Sequence, residues 1–342
     1  MGYALNFFEA DQILSQLQDS YRIFAPKRLT KRGWRPGTDL IRYGEINSVT
    51  EIVTDVQSDY SPKDVIFPIV QTTQYFTADT IHESVADDKG ILLFARPCDI
   101  NGLRSLDTIF LKNGGQADYY YQRRRDKLKV VMLECREGWD NCFCVAMGAN
   151  RTSDYSLAVR FTGQGLLVDV RDDEFAAAFA AVPAAEFTPE FPTADRKHVR
   201  LPAIGKDQLG QVRALEMWED YNSQCVSCGS CNTVCVTCSC FDTRDVIYHE
   251  TSRDGERRRT WSSCMLEDFS TMAGGHAVRK TPGERMRFKT LHKVYDYKAR
   301  FGEEHMCVGC GRCDSRCPEK ISFADTINRL SSAVDSLEVT KP

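Results

Sequence analysis

Cysteine is the residue type in this chain best suited to chemistry: there are fifteen, and eight fall in two runs of identical spacing. The first run is Cys225, Cys228, Cys231 and Cys235. The second is Cys307, Cys310, Cys313 and Cys317, followed directly by Pro318. Both read C-x2-C-x2-C-x3-C. Cysteines every third residue in a tight loop wrap three thiolates around one side of a [4Fe-4S] cubane, and the fourth lies too far round to close the same cube. In chains with two such runs, the fourth cysteine ligates the other cluster. The spacing therefore groups Cys225, Cys228 and Cys231 with Cys317, and Cys307, Cys310 and Cys313 with Cys235. Gly229 and Gly311 stand where the backbone must bend sharply beside inorganic sulfur. Other uses of cysteine fit poorly. Zinc sites present two separated C-x2-C pairs, and c-type haem needs a His where this chain has Gly229 and Gly311. A disulfide framework belongs to short secreted chains.

Four more cysteines, Cys98, Cys135, Cys142 and Cys144, lie in turn-like sequence in the N-terminal half. They are candidate ligands of a third [4Fe-4S] cluster, weighed against the alternative that they are small buried packing residues. Cys238, Cys240 and Cys264 remain, and packing around a cluster suits them better than direct ligation. Between residues 253 and 300, twelve Lys and Arg face six acids. That excess suits a docking face for an acidic partner, cations that raise a nearby cluster's potential, or an ordinary solvated surface. No G-x-G-x-x-G follows a strand, so no nicotinamide or flavin dinucleotide site is visible. The six histidines are scattered, without H-x3-H or an evident nucleophile beside them. No catalytic constellation emerges.

The elements that must position these residues point to a mixed α+β chain of two domains, for which 342 residues suffice. An N-terminal α/β domain is expected over 1–205 and a mainly helical, ferredoxin-like two-cluster domain over 206–342. Phe7, Ala10, Leu14, Leu17 and Tyr21 have helical spacing. Residues 22–60 fit either a small sheet or an irregular excursion. Val65-Ile66-Phe67 reads as a strand, as do Gly90–Ala95 and Lys129–Leu133, whose continuous apolar runs suggest burial on both faces. Cys98 and Cys135 then leave the carboxyl ends of two strands, where α/β sheets build sites. Leu157–Phe161 and Leu166–Val170 flank a turn and predict a hairpin. Phe175–Ala181 predicts a short helix ended by Pro183, the segment punctuated by Pro189, Pro192 and Pro202 a linker, and Leu209–Tyr221 a helix leading into the first loop. The 71 residues between Cys235 and Cys307 carry apolar positions such as Met265, Phe269, Leu291 and Val294 that suggest helices. A final helix is expected over Ser322–Val334, behind the second loop.

Composition narrows the partners. A net charge of −4 gives no global attraction to nucleic acid. Residues 1–20 carry no Lys or Arg, so the basic start of a signal peptide is missing, and no apolar run approaches the length of a membrane helix. A cytoplasmic protein in a reducing compartment is the expectation.

Five motifs accompany the two loops: Arg96-Pro97-Cys98-Asp99, Glu134-Cys135, Asn141-Cys142-Phe143-Cys144, Cys235-x2-Cys238-Ser239-Cys240-Phe241-Asp242, and Trp261-x2-Cys264. Together they resemble the iron–sulfur (A-type) component family of anaerobic sulfite reductases, with which the β subunits of cytoplasmic sulfhydrogenases share a skeleton. The resemblance covers nearly the whole chain. One departure is Val236, where relatives commonly have Pro. The resemblance implies an electron-transfer subunit placed between two others. One is a flavin subunit, which oxidises NADH; the other is a sirohaem subunit, which reduces sulfite to sulfide. The alternatives are the same relay with a hydrogenase partner, a catalytic iron–sulfur enzyme whose N-terminal cluster binds substrate, and a cluster-bearing redox sensor.

Overall fold

The computed structural model describes residues 2–85, 87–302 and 304–339. The chain forms two compact units from interleaved segments. The first unit takes residues 1–137, 151–192 and 241–261, and the second takes 138–150, 193–240 and 262–342. The division expected after residue 205 falls inside the 193–240 segment. The α+β class expected from the sequence is what the fold shows, with helices and sheets mixed along the chain.

The strands run in chain order as β1 (Gly2–Asn6), β2 (Tyr21–Leu29), β3 (Leu40–Glu45), β4 (Val70–Phe76), β5 (Ile81–Glu83) and β6 (Gly90–Ala95). They continue with β7 (Leu128–Leu133), β8 (Leu157–Phe161), β9 (Gly165–Val170), β10 (Phe241–Ile247) and β11 (Gly255–Trp261). All belong to the first unit. Its main sheet has the order β1-β9-β8-β7-β6-β2-β3. The β2, β6, β7 and β8 neighbours pair in parallel and the flanking strands antiparallel. β6 and β7 occupy the middle, and every residue from Ile91 to Ala95 is buried. Central position explains the unbroken apolar runs, because both faces of a parallel strand are covered. The expected hairpin is β8–β9, and residues 22–60 contribute β2 and β3 to this sheet.

Helix Phe7–Leu17 packs on the sheet through Ala10, Ile13 and Leu14. Asn6 and Glu9 start it with a reciprocal capping box, each bond 2.9 Å. The helix stops at Leu17, and Tyr21 opens β2 instead of extending the apolar helix face. Phe175–Ala181 gives a single 3-10 stretch, Asp173–Phe179.

Val65-Ile66-Phe67 is not a strand. Lys63–Ile66 forms one helical turn that begins after Pro62, and Ile66 and Phe67 are fully buried. Three apolar residues between prolines carry no periodicity, so burial alone could not tell a strand from a turn. Phe67 packs against Phe110, with ring centres 5.0 Å apart.

The segment between the cysteine loops is only partly helical. Residues 241–261 form the hairpin β10–β11, which adds to the first unit's second sheet, ordered β10-β11-β4-β5 and antiparallel throughout. Helix Pro282–Leu291, a π turn His292–Asp296 and helix Tyr297–Phe301 follow in the second unit. Around Met265 and Phe269 there is only the 3-10 turn Asp268–Ser270.

Leu209–Tyr221 is broken into the short pieces Leu209–Arg213, Glu216–Trp218 and Tyr221–Gln224. The Trp218 indole donates to the Val212 carbonyl at 2.9 Å. A side chain thus satisfies an acceptor that a continuing helix would have bonded. The last helix, Phe323–Val339, begins where Asp314 of the second loop accepts from the Phe323 amide at 2.7 Å and the Ser322 hydroxyl at 2.9 Å. Among the described residues no named strand lies in the second unit.

Candidate iron–sulfur centre

The two cysteine loops adopt one local geometry twice. Ser227 and Gly309, each directly before the second cysteine, have φ of 56° and 64°. Gly229 and Gly311, each directly after it, have φ of 74° and 72°. Two left-handed residues around a cysteine fold the loop back on itself, so its thiols project toward one side. In each loop the left-handed residue's amide donates to the first cysteine's sulfur, Ser227 to Cys225 and Gly309 to Cys307, both at 3.4 Å. A short helix then starts at each glycine, Ser230–Thr233 and Arg312–Arg316, and carries the third cysteine.

Cys225, Cys228, Cys231 and Cys317 line one cavity. Cys313 and Lys289 also reach it, and Met265, Met286 and Phe323 supply apolar wall. Burial raises the Cys225 thiol above its ordinary range, and Cys231 and Cys228 raise it further. The second group is drier. Burial pushes Cys307 up to about 12, and its sulfur feels those of Cys235 and Cys310. Burial likewise holds Cys313 well above the usual thiol range, with Asp314, Cys310 and Cys307 adding to the effect. Thiols so reluctant to ionise need a strong cation to become thiolates, and iron is such a cation.

The two groups differ in access. Cys228 is exposed and its neighbour Val226 is 60% exposed, whereas Cys310 and Val308 are buried. Among the described residues no three His, Cys, Asp or Glu side chains converge as ligands of a single metal ion would. Thiolates of a cubane each meet a different iron and stand further apart.

Of the other candidates, Cys98 sits in the first turn of helix Pro97–Asp107, just past β6, and Cys135 just past β7. Those strands are parallel neighbours, with Ala95 opposite Met132. Burial raises the Cys135 thiol, opposed by Arg96, whose guanidinium also donates to the Glu134 and Thr54 carbonyls at 2.9 and 2.8 Å. Cys142 and Cys144 belong to the second unit and are buried there. The Phe143 amide donates to the Gly309 carbonyl at 2.8 Å, and the Cys142 sulfur lies 3.6 Å from the Cys310 carbonyl oxygen. Two of these four cysteines therefore fall in each unit.

Cys238 and Cys264 are buried beside the loops. Cys264 is held well above the ordinary thiol range, first by its contact with Cys240 and then by burial, while the Asn232 amide donates to it at 3.1 Å. Sequence reading missed Lys289 and Lys293 as individuals. They belong to a basic stretch, and nothing in their local pattern marks them as buried among cysteines.

The comparisons agree with this geometry. Residues 224–321 match the family described as 4Fe-4S dicluster domain. The chain is also similar to sulfhydrogenase 2 subunit beta of Pyrococcus furiosus, 27% identical over 335 residues, which covers 93% of this chain and 95% of that protein. The chain thus carries a two-cluster domain with two [4Fe-4S] clusters and the one-electron chemistry of an iron–sulfur oxidoreductase component. Among the described residues no helix is long and apolar enough to cross a membrane.

Proposed function

We propose that this chain is an electron-relay subunit of a multi-subunit oxidoreductase. In this reading Cys225, Cys228, Cys231 and Cys317 hold one cluster, and Cys307, Cys310, Cys313 and Cys235 the other. Each cluster supplies a one-electron couple. The carrying observation is the asymmetry of access. Cys228 and Val226 bring one cysteine group to the surface, while Cys310 and Val308 keep the other dry. A relay needs such an edge for exchange and an insulated interior for retention. The buried Met286, Met265 and Phe323 around the first cavity exclude water from its inner side.

The motifs around Cys98, Cys135, Cys142, Cys144 and Cys264 favour a complex that reduces sulfite. There, a flavin subunit that oxidises NADH feeds this chain, which passes electrons to a sirohaem subunit. A second reading is favoured by the relative named sulfhydrogenase 2 subunit beta: the same relay serving a hydrogenase. Affinity purification of the tagged chain from anaerobically grown source cells distinguishes them. Co-purification of a flavoprotein and a sirohaem protein, with NADH-dependent sulfite reduction, is the expected result. Hydrogen-dependent activity and a hydrogenase partner would favour the second reading. Sulfite reduction by the isolated chain would overturn the relay assignment altogether.

A further inference from the structure

Lys289 and Lys293 lie four residues apart along the helical run that begins at Pro282, so they face the same way. They are only 5% and 4% exposed. Lys289 lines the first cavity within hydrogen-bonding reach of Cys231, and its Nζ is 4.8 Å from the centre of the Phe323 ring. Lys293 donates to the Thr237 hydroxyl at 2.6 Å and sits among Cys235, Cys238 and Cys307. Its own carbonyl accepts from the Cys307 amide at 3.2 Å, which fixes the second loop to this turn.

Among the described residues neither lysine forms an ion pair with a carboxylate. A buried ammonium is tolerated only beside a counter-charge. Lys289 shares its cavity with Cys231 and Cys313, and Lys293 stands among Cys235, Cys238 and Cys307, so cysteine sulfurs surround each buried ammonium. Two lysines are thus built into dry sites lined by cysteine sulfurs, beside the clusters once these are assembled.

We propose that Lys289 and Lys293 are positioning charges that set the reduction potentials of the clusters. Lys289 lines one cavity with Cys231 of the first group and Cys313 of the second and acts on both clusters, while Lys293 acts on the one assigned to Cys235, Cys307, Cys310 and Cys313. The proposal rests on the ligand grouping given above. Reduction adds one electron to a cluster, with no bond made or broken at the lysine and no proton moved. A fixed cation in a low-dielectric site stabilises the extra negative charge, so each lysine raises the potential of the cluster beside it.

The test is an EPR-monitored redox titration of the full-length, anaerobically purified protein, with dithionite as reductant. Lys289→Met is expected to lower the reduced-to-oxidised ratio of both clusters at least tenfold at a fixed ambient potential, or about 59 mV for a one-electron couple. Lys289→Arg should recover most of that loss. Lys293→Met should shift only one cluster. Met and Arg variants that shift alike, or Met variants with full iron content and unmoved potentials, would overturn the lysine role. A measurement without any variant covers the case where Met blocks assembly. Wild-type protein labelled with [15N]lysine should show 15N hyperfine coupling on both reduced clusters, and its absence counts against the proposal. The underlying grouping is tested separately by Cys317→Ala. Loss of the same EPR signal that Cys307→Ala abolishes would refute the grouping, and leave the lysine measurement standing.

Discussion

Ser227 is the one non-glycine among the four left-handed positions that shape the two loops, and the Arg285 guanidinium donates to its hydroxyl at 2.9 Å. Its counterparts show why the second loop uses glycine throughout. A Cβ on Gly311 would sit 2.3 Å from the Asn141 carbonyl oxygen, and one on Gly309 2.4 Å from that of Phe143. The 138–150 segment packs directly on the second loop, so side chains have no room there. Gly311→Ala should therefore cost the protein one cluster, about four irons per chain, while leaving the other's EPR signal in place. Unchanged iron content would show that the loop yields to the extra methyl. A second residue-scale prediction concerns His292, whose pKa burial pushes down to about 4, helped by the charges of Lys293 and Arg279. The neutral ring is stable in the fold, whereas in the unfolded chain it titrates near 6.5. Between those values the unfolded state binds the extra proton, so stability falls as pH drops from about 6.5 toward 4, by roughly 3 kcal/mol at most. His292→Gln should flatten the loss of melting temperature between pH 7 and pH 5. Identical pH dependence in variant and wild type would refute this.

Hairpin β10–β11 shows how far an element's role can depart from its sequence neighbourhood. Its strands carry four charged residues on β11 alone, so alternation is masked and no strand pattern stands out. In the fold β11 lies between β10 and β4. Arg259 points inward to Asp118 and Gln71, both at 2.8 Å, with its guanidinium 5.1 Å from the ring centres of Phe67 and Phe241. This arginine replaces an apolar core residue with a paired, ring-stacked cation. Arg259→Ala should destabilise the first unit by about 3 kcal/mol, because it strands the partner groups and removes the stacking. Calorimetry would show it as a lowered first-unit transition with iron content retained, and a change within experimental error would exclude the structural role. By contrast, β6 and β7 were legible in the sequence because a central parallel strand leaves its apolar run unbroken. The break in Leu209–Tyr221 was not, since the Trp218 indole reaching Val212 is a contact that spacing does not encode.

The whole molecule interleaves its units: the chain leaves the second at Cys240, adds a hairpin to the first, and returns at Ser262, whose amide donates to the Cys240 carbonyl at 2.9 Å. Iron and acid-labile sulfide analysis of anaerobically purified protein belongs to this scale. Eight irons per chain match the two clusters of the dicluster domain, whereas twelve would bear out the third cluster expected on Cys98, Cys135, Cys142 and Cys144. The sequence by itself determined the cluster type and the two loops that call for it, because three ligands of a cubane come from one short loop and their spacing is a local property. It also determined the mixed α+β class, through runs long enough for their period to show. Spacing had already grouped Cys317 with Cys225, Cys228 and Cys231; only the tertiary structure decided that Cys228 is open while Cys310 is closed. It also decided that two of twelve basic residues lie buried among cysteines. Burial and counter-charge come from segments far apart in the chain, and no local pattern carries them.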